Sequence, residues 1–196
     1  AMAAIVVPFR GAGGKQRLGA LPEGERQALV LAMLADVLAA CRDVGTTVVV
    51  TPDEEAARIA AEHEAEVIDD PGNGQGAAVA AALRGVVGPV LVVNADVPCV
   101  VAEDLRSLEA ATPKHGLAYV AASDGTTNAL GLSAPTLFAP LYGPGSAERF
   151  RLHAHTLGAD VVPAAIPNLA DDVDSMADLE RLELRVGPRT LAARAR

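Results

Sequence analysis

The chain has 196 residues, 51% of them hydrophobic and 21% charged, which suits one folded domain with a substantial core and excludes global disorder. A formal charge of -9 argues against sequence-independent binding of DNA, RNA or anionic lipid, so any phosphate contacts should be local and made by a few placed Lys and Arg. Aromatic residues make up only 3% and Trp is absent, which leaves Ala, Val and Leu to build the core, as in parallel strands covered by helices.

In chain order, Ala3 to Val7 reads as a short strand ended by Pro8, and a glycine-rich loop with Arg10, Gly11, Gly13, Gly14, Lys15, Arg17 and Gly19 follows. Glu23 to about Arg42 has helical apolar spacing at Leu29, Met33, Val37 and Ala40. Thr46 to Val50 is a second strand. Thr51-Pro52-Asp53-Glu54 then predicts a helix start, with Thr51 as N-cap, Pro52 at the first helical position and Glu54 closing a capping box. Glu66 to Ile68 is a third strand, and a turn-rich loop from Asp69 to Gly76 leads into a helix over Ala77 to Arg84. The N-terminus of that helix could face a nucleotide. Pro89 to Val93 is a fourth strand, Asp104 to Ala111 a helix, and Ala118 to Ala121 and Ala129 to Leu132 two more strands. Ser146 is placed as the N-cap of a helix reaching about Leu157; Asp160 to Val162 is a strand and Ser175 begins a final helix.

The first half alternates strand and helix with short links, the pattern of a parallel Rossmann-like α/β sheet with helices on both faces. The second half is less regular and predicts an antiparallel strand and the acceptor side of a cleft. One domain over 3–187 is expected, with a flexible tail over 188–196. No apolar run approaches the roughly 20 residues that cross a bilayer. Cys41 and Cys99 lack metal-binding spacing and read as buried thiols of a cytoplasmic protein. Ala1-Met2 reads as a remnant of expression, with no signal peptide after it.

Chemistry concentrates in three places. The Gly11–Gly19 loop is neither a dinucleotide fingerprint, since Gln16 stands where glycine is needed, nor a P-loop, since Phe9 and Gln16 break the pattern. Its amides with Arg10, Lys15 and Arg17 can still embrace a triphosphate. Asp96 follows the apolar run Val90-Leu91-Val92-Val93, and Pro98 constrains Val97 to extended backbone, which aims the carboxylate out from the strand end. Asp172 and Asp174 are alternate residues of a second acidic turn and so can share a face, although Asp174 or Ser175 can equally cap the last helix. Carboxylates from two such turns, meeting at the rim of a sheet, would hold a divalent metal against nucleotide phosphates. His153 and His155 diverge by about 200° on a helix and suit no joint metal site.

The strand leading into a basic glycine-rich loop, Asp96-Val97-Pro98, and Asp172-Val173-Asp174 followed by Ala177-Asp178-Leu179 resemble the CofC/FbiD family of guanylyltransferases in coenzyme F-420 biosynthesis. Leu29 to Leu38, Gly125 to Leu130 and Gly143-Pro144-Gly145-Ser146 match in order and spacing, so the resemblance spans nearly the whole chain. It implies transfer of GMP from GTP to the phosphate of phosphoenolpyruvate, 2-phospho-L-lactate or 3-phospho-D-glycerate, with pyrophosphate released. By the same resemblance, Asp96, Asp172 and Asp174 would hold Mg²⁺, and Lys15 and Arg17 would neutralise the triphosphate. Arg10, Gly13, Gly14, Lys15 and Gly76 would contact the nucleotide, and Asn128, Gly143 and Ser146 the acceptor. Arg10 and Gln16 stand where the family often has Lys and Ser or Thr, Gln75-Gly76 where it has Leu-Asn, and Asn128 where some phosphoenolpyruvate users have Thr. The rival readings are a molybdenum-cofactor or sugar-phosphate nucleotidyltransferase and a non-catalytic nucleotide-binding regulator. GTP and a small phosphorylated carboxylate are the expected partners, without nucleic acid or membrane, and a homodimer is compatible with this reading.

Overall fold

The computed structural model describes residues 3–11, 18–19 and 21–194. Strand and helix alternate through β1 (Ala4–Pro8), α1 (Glu23–Arg42), β2 (Thr47–Val50), α2 (Glu54–Glu62), β3 (Glu66–Ile68), α3 (Gln75–Leu83), β4 (Val90–Val93) and α4 (Ala102–Ala111). The second half runs β5 (Gly116–Ala121), β6 (Thr127–Leu132), a 3-10 turn at Pro135–Leu137, α5 (Ser146–Thr156), β7 (Asp160–Pro163), α6 (Pro167–Ala170), α7 (Met176–Leu182) and α8 (Pro188–Arg194). The strands form one seven-stranded sheet in the order β3-β2-β1-β4-β6-β5-β7. All pairings are parallel except the two made by β6, which runs antiparallel to β4 and to β5.

The central strands are buried on both faces, which is why they read as unbroken apolar runs. Ile5 and Val7 of β1 pack with Met33, Leu34 and Val37 of α1, while Val6 between them faces Ala78, Val79 and Ala82 of α3. The same alternation in β4 sends Leu91 and Val93 to the first face and Val90 and Val92 to the second. α1, α4 and α7 thus cover one side of the sheet, and α3 and α5 the other. Three of the five aromatic residues, Phe138, Tyr142 and Phe150, cluster with ring centroids 5.5–6.1 Å apart on the second face.

Local starts and ends differ from expectation in instructive ways. Asp53, not Thr51, caps α2, accepting from the amides of Glu55 and Ala56, while Thr51 Oγ1 takes the Asp53 N–H one step earlier. Asp is the stronger cap, and its carboxylate reaches two of the free amides. Gly145 rather than Ser146 caps α5, because the chain enters that helix through a left-handed residue (φ 73°) that glycine adopts without strain.

The tail expected to be flexible over 188–196 contains helix α8, docked on α1. The buried Asp36 of α1 accepts from the amides of Arg189 and Thr190 and from Thr190 Oγ1 at 2.7–3.2 Å, capping α8 from a distant part of the chain. Gly187 permits the approach, since a Cβ there would stand 2.3 Å from Asp36 Cγ.

Candidate active site

From β1 the chain moves outward to β2 and β3, then returns to place β4 on the other side of β1. The carboxyl ends of β1 and β4 are therefore a topological switch point, where crossover loops diverge and open α/β sheets leave a crevice. A cleft of about 230 Å³ occupies this place, between Phe9, Arg10 and Gly11 on one side and Asn94, Ala95 and Asp96 on the other, with Gln75 at its margin. Gln75 Nε2 donates to Asn94 Oδ1 at 2.8 Å, and Asn94 Nδ2 donates to the Thr127 carbonyl at 3.0 Å. Arg10 Nε lies 3.4 Å from Asp70 Oδ2, and the Asp70 side chain is 1% exposed, so a buried carboxylate holds the half-exposed guanidinium. The sequence offers Gln75 only in the pair Gln75-Gly76 and Asp70 only within the turn-rich 69–76 segment, and does not single out Asn94; the fold brings Gln75 and Asn94 to the cleft and Asp70 to Arg10.

Gly76 lies in the first turn of α3, but a Cβ on it would stand 2.5 Å from Pro140 Cβ. Its lack of a side chain serves close packing against Pro140, and a contact with nucleotide would have to come from its backbone. Gly13, Gly14, Lys15 and Arg17, the other expected nucleotide contacts, lie outside the described residues.

The two acidic turns converge. One carboxylate oxygen from each of Asp96, Asp172 and Asp174 lies within 4.8 Å of the other two, and all three residues are half-buried. The approach is fixed by backbone: Val173, fully buried, donates its N–H to the Asp96 carbonyl at 2.9 Å. Val173 therefore points into the core while Asp172 and Asp174 flank it, as alternation requires. Ser175 is the N-cap of α7, and Asp178 closes the box by accepting from the amides of Ser175 and Asp174 at 3.0 and 2.8 Å. The cap is thus made without the Asp174 carboxylate. Burial, a hydrogen bond with Asp174 and the charges of Asp96 and Asp174 push the Asp172 carboxyl up to about 7.

Of the three expected acceptor residues, Asn128 is hydrogen-bonded to this centre. Asn128 of β6 is 2% exposed, and its Nδ2 donates to the carbonyls of Leu169 and Ala170 and to Asp172 Oδ1 at 3.0–3.2 Å. Ser146 is fully buried, with Oγ 2.9 Å from Thr127 Oγ1 and its N–H donated to the Gly143 carbonyl. Gly143 has a positive φ of 114°, and Arg149 braces this loop by donating to the carbonyls of Leu141, Tyr142 and Pro144.

The model of the MobA-like NTP transferase domain matches residues 12–169. Phosphoenolpyruvate guanylyltransferase of Sphaerobacter thermophilus is 35% identical over 91% of this chain and 91% of its own. The enzyme of that name from Geodermatophilus obscurus is 36% identical over 96% of this chain and 92% of its own. The chain belongs to the phosphoenolpyruvate guanylyltransferase family of MobA-like NTP transferases. The family fold extends to remote structures. A nucleotidyl transferase from Methanothermobacter superposes with TM-score 0.69 at 18% identity, covering 94% of this chain and 96% of its own. A 4-diphosphocytidyl-2C-methyl-D-erythritol synthase from Anaerococcus prevotii superposes with TM-score 0.63 at 11% identity, over 100% of this chain and 99% of its own.

In this guanylyltransferase-family chain the acidic centre suits a divalent cation. Mg²⁺ binds hard oxygens at about 2.1 Å in octahedral geometry, so its ligand oxygens stand about 3 to 4 Å apart. Three carboxylate oxygens within 4.8 Å meet that need after slight closure. Among the described residues this is the one group of three or more His, Cys, Asp or Glu so placed. No described helix is long and apolar enough to cross a membrane.

Proposed function

We propose that this chain is a Mg²⁺-dependent guanylyltransferase that transfers GMP from GTP to the phosphate of phosphoenolpyruvate, a step of coenzyme F-420 biosynthesis. A phosphate oxygen of the acceptor attacks the α-phosphorus of GTP; a new P–O–P link forms, and the bond to the β-phosphate breaks to release pyrophosphate. The acceptor phosphate is already an anionic nucleophile, so no general base is needed, and catalysis rests on alignment and charge neutralisation. The observation that carries the reading is the meeting of Asp96, Asp172 and Asp174 beside a cleft at the switch point of the sheet. Bound there, Mg²⁺ would neutralise phosphate charge.

The chain's own groups have the following parts in this proposal. Arg10, oriented by Asp70, faces the triphosphate, whose charge Lys15 and Arg17 would also neutralise, and the amides at the start of α3 add donors. Gln75 and Asn94 order the margin where the nucleoside would lie. The acceptor sits against the Gly143–Ser146 loop. The hydrogen bond between the buried Thr127 and Ser146 hydroxyls pins the end of that loop to β6. The relatives' shared name favours phosphoenolpyruvate over 2-phospho-L-lactate and 3-phospho-D-glycerate. The test is pyrophosphate release from GTP and Mg²⁺ with each of the three acceptors. Phosphoenolpyruvate should give the highest kcat/KM; no release with any of them would overturn the proposal.

A further inference from the structure

Asn128 occupies an unusual junction. Its backbone carbonyl accepts the N–H of Asn94 at 3.0 Å, two residues before Asp96, so it anchors the first acidic turn. Its side-chain amide donates to Leu169 O, Ala170 O and Asp172 Oδ1, so it also anchors the second. One residue therefore fixes both turns whose carboxylates meet. The side-chain NH₂ has two protons, and three acceptors from the end of α6 and the turn after it already surround it. An amide donor suits this place because it orients a carboxylate without cancelling the charge that a cation needs. Outer-shell hydrogen bonds of this kind commonly set the affinity of a metal site. At 2% exposure, with its donors so committed, Asn128 is poorly disposed to greet a ligand directly.

We infer that the Asn128 side chain is a positioning group that orients the Asp172 carboxylate for the divalent cation, rather than itself contacting the acceptor. This rests on the proposed metal-dependent reaction and assigns that site a further part. Loss of the amide should let Asp172 and the 169–172 segment drift, weakening the cation site before it touches acceptor recognition.

The probe is Mn²⁺ titrated into the full chain without nucleotide or acceptor, with free Mn²⁺ read by electron paramagnetic resonance. Asn128→Ala should raise the Mn²⁺ Kd by about 10–100-fold. At saturating metal, its KM for phosphoenolpyruvate should change by less than about threefold. Asn128→Ser, which keeps a short donor, should fall between the two and provides a reading if the alanine variant does not fold. In an Asp172→Asn background, which retains two carboxylates, the effect of Asn128→Ala on Mn²⁺ affinity should largely vanish, because neighbours that act through one another are not additive. An unchanged Mn²⁺ Kd with a raised acceptor KM makes Asn128 an acceptor contact and overturns the inference. So does an effect that persists in full without Asp172, which would mark a general structural role. If the unaltered protein binds no Mn²⁺, the metal-dependent reading itself fails, and this inference with it.

Discussion

Asp96 stands where β4 runs out, and its backbone and side chain have separate tasks. The carbonyl takes the Val173 amide and so docks the second acidic turn, while the carboxylate joins Asp172 and Asp174. Substituting only the side chain should therefore spare the docking. Asp96→Asn keeps the shape and removes the charge, so we expect turnover to fall by more than the 10–100-fold typical of outer-shell partners. The far-ultraviolet spectrum and melting temperature should stay near those of the unaltered protein. Activity within about threefold of normal would remove Asp96 from the catalytic centre. The residue was legible in sequence because an apolar run ending in a carboxylate is a local signal. Its partners Asp172 and Asp174 were legible as alternate residues, but their meeting with Asp96 depends on the Val173 bond, which no spacing rule contains. Asp70 and Gln75 left a weaker trace, as members of the 69–76 segment before a helix, and each acquires its place only when Arg10 and Asn94 arrive from other strands.

At the scale of elements, the strands announced themselves through burial on both faces, and α1 through its long apolar stripe. What stayed hidden was α8. Its sequence, PRTLAAR, offers little apolar surface, and Leu191 is 48% exposed. Its stability comes instead from Asp36, whose carboxylate satisfies two backbone amides and the Thr190 hydroxyl in a buried place. Nothing in the sequence sets Asp36 apart from the other charged residues of α1, Glu23, Glu25, Arg26 and Arg42. Asp36→Ala removes a cap and strands a buried hydroxyl, each worth about 1–2 kcal/mol. The midpoint of urea unfolding should drop by an amount corresponding to about 2–3 kcal/mol, and amide exchange in 188–194 should quicken more than in the strands. A midpoint within error of the original would mean that α8 holds its place by other contacts. The start of α5 teaches the same lesson in smaller compass. Ser146 had the chemistry of a cap, but the left-handed Gly145 took that position and sent the serine hydroxyl inward to Thr127.

For the molecule as a whole, the acidic centre sets a linkage between pH, cation and stability. The Asp172 carboxyl, ordinarily near 3.8, is pushed up to about 7 by burial, then by its hydrogen bond with Asp174 and the nearby charges of Asp96 and Asp174. Between those values the folded chain keeps a proton that the unfolded chain has released. The folded state then binds more protons, so this group's contribution makes stability fall as pH rises from about 4 to about 7, after which the loss is complete. A divalent cation that binds the ionised carboxylate relieves the repulsion behind the loss, and protons compete with it for the site. Mg²⁺ should therefore raise the melting temperature more at pH ~8 than at pH ~5.5, because at the lower pH the proton still occupies the site. In Asp172→Asn, which has no such carboxyl, the difference between the two pH values should shrink. Thermal unfolding followed at both pH values, with and without Mg²⁺, reads both effects. An equal gain at the two pH values would show that Asp172 does not exchange its proton for the cation. Such a result would leave Asp96 and Asp174 to hold the ion, and would give the Asn128–Asp172 contact a part in folding instead of in metal binding.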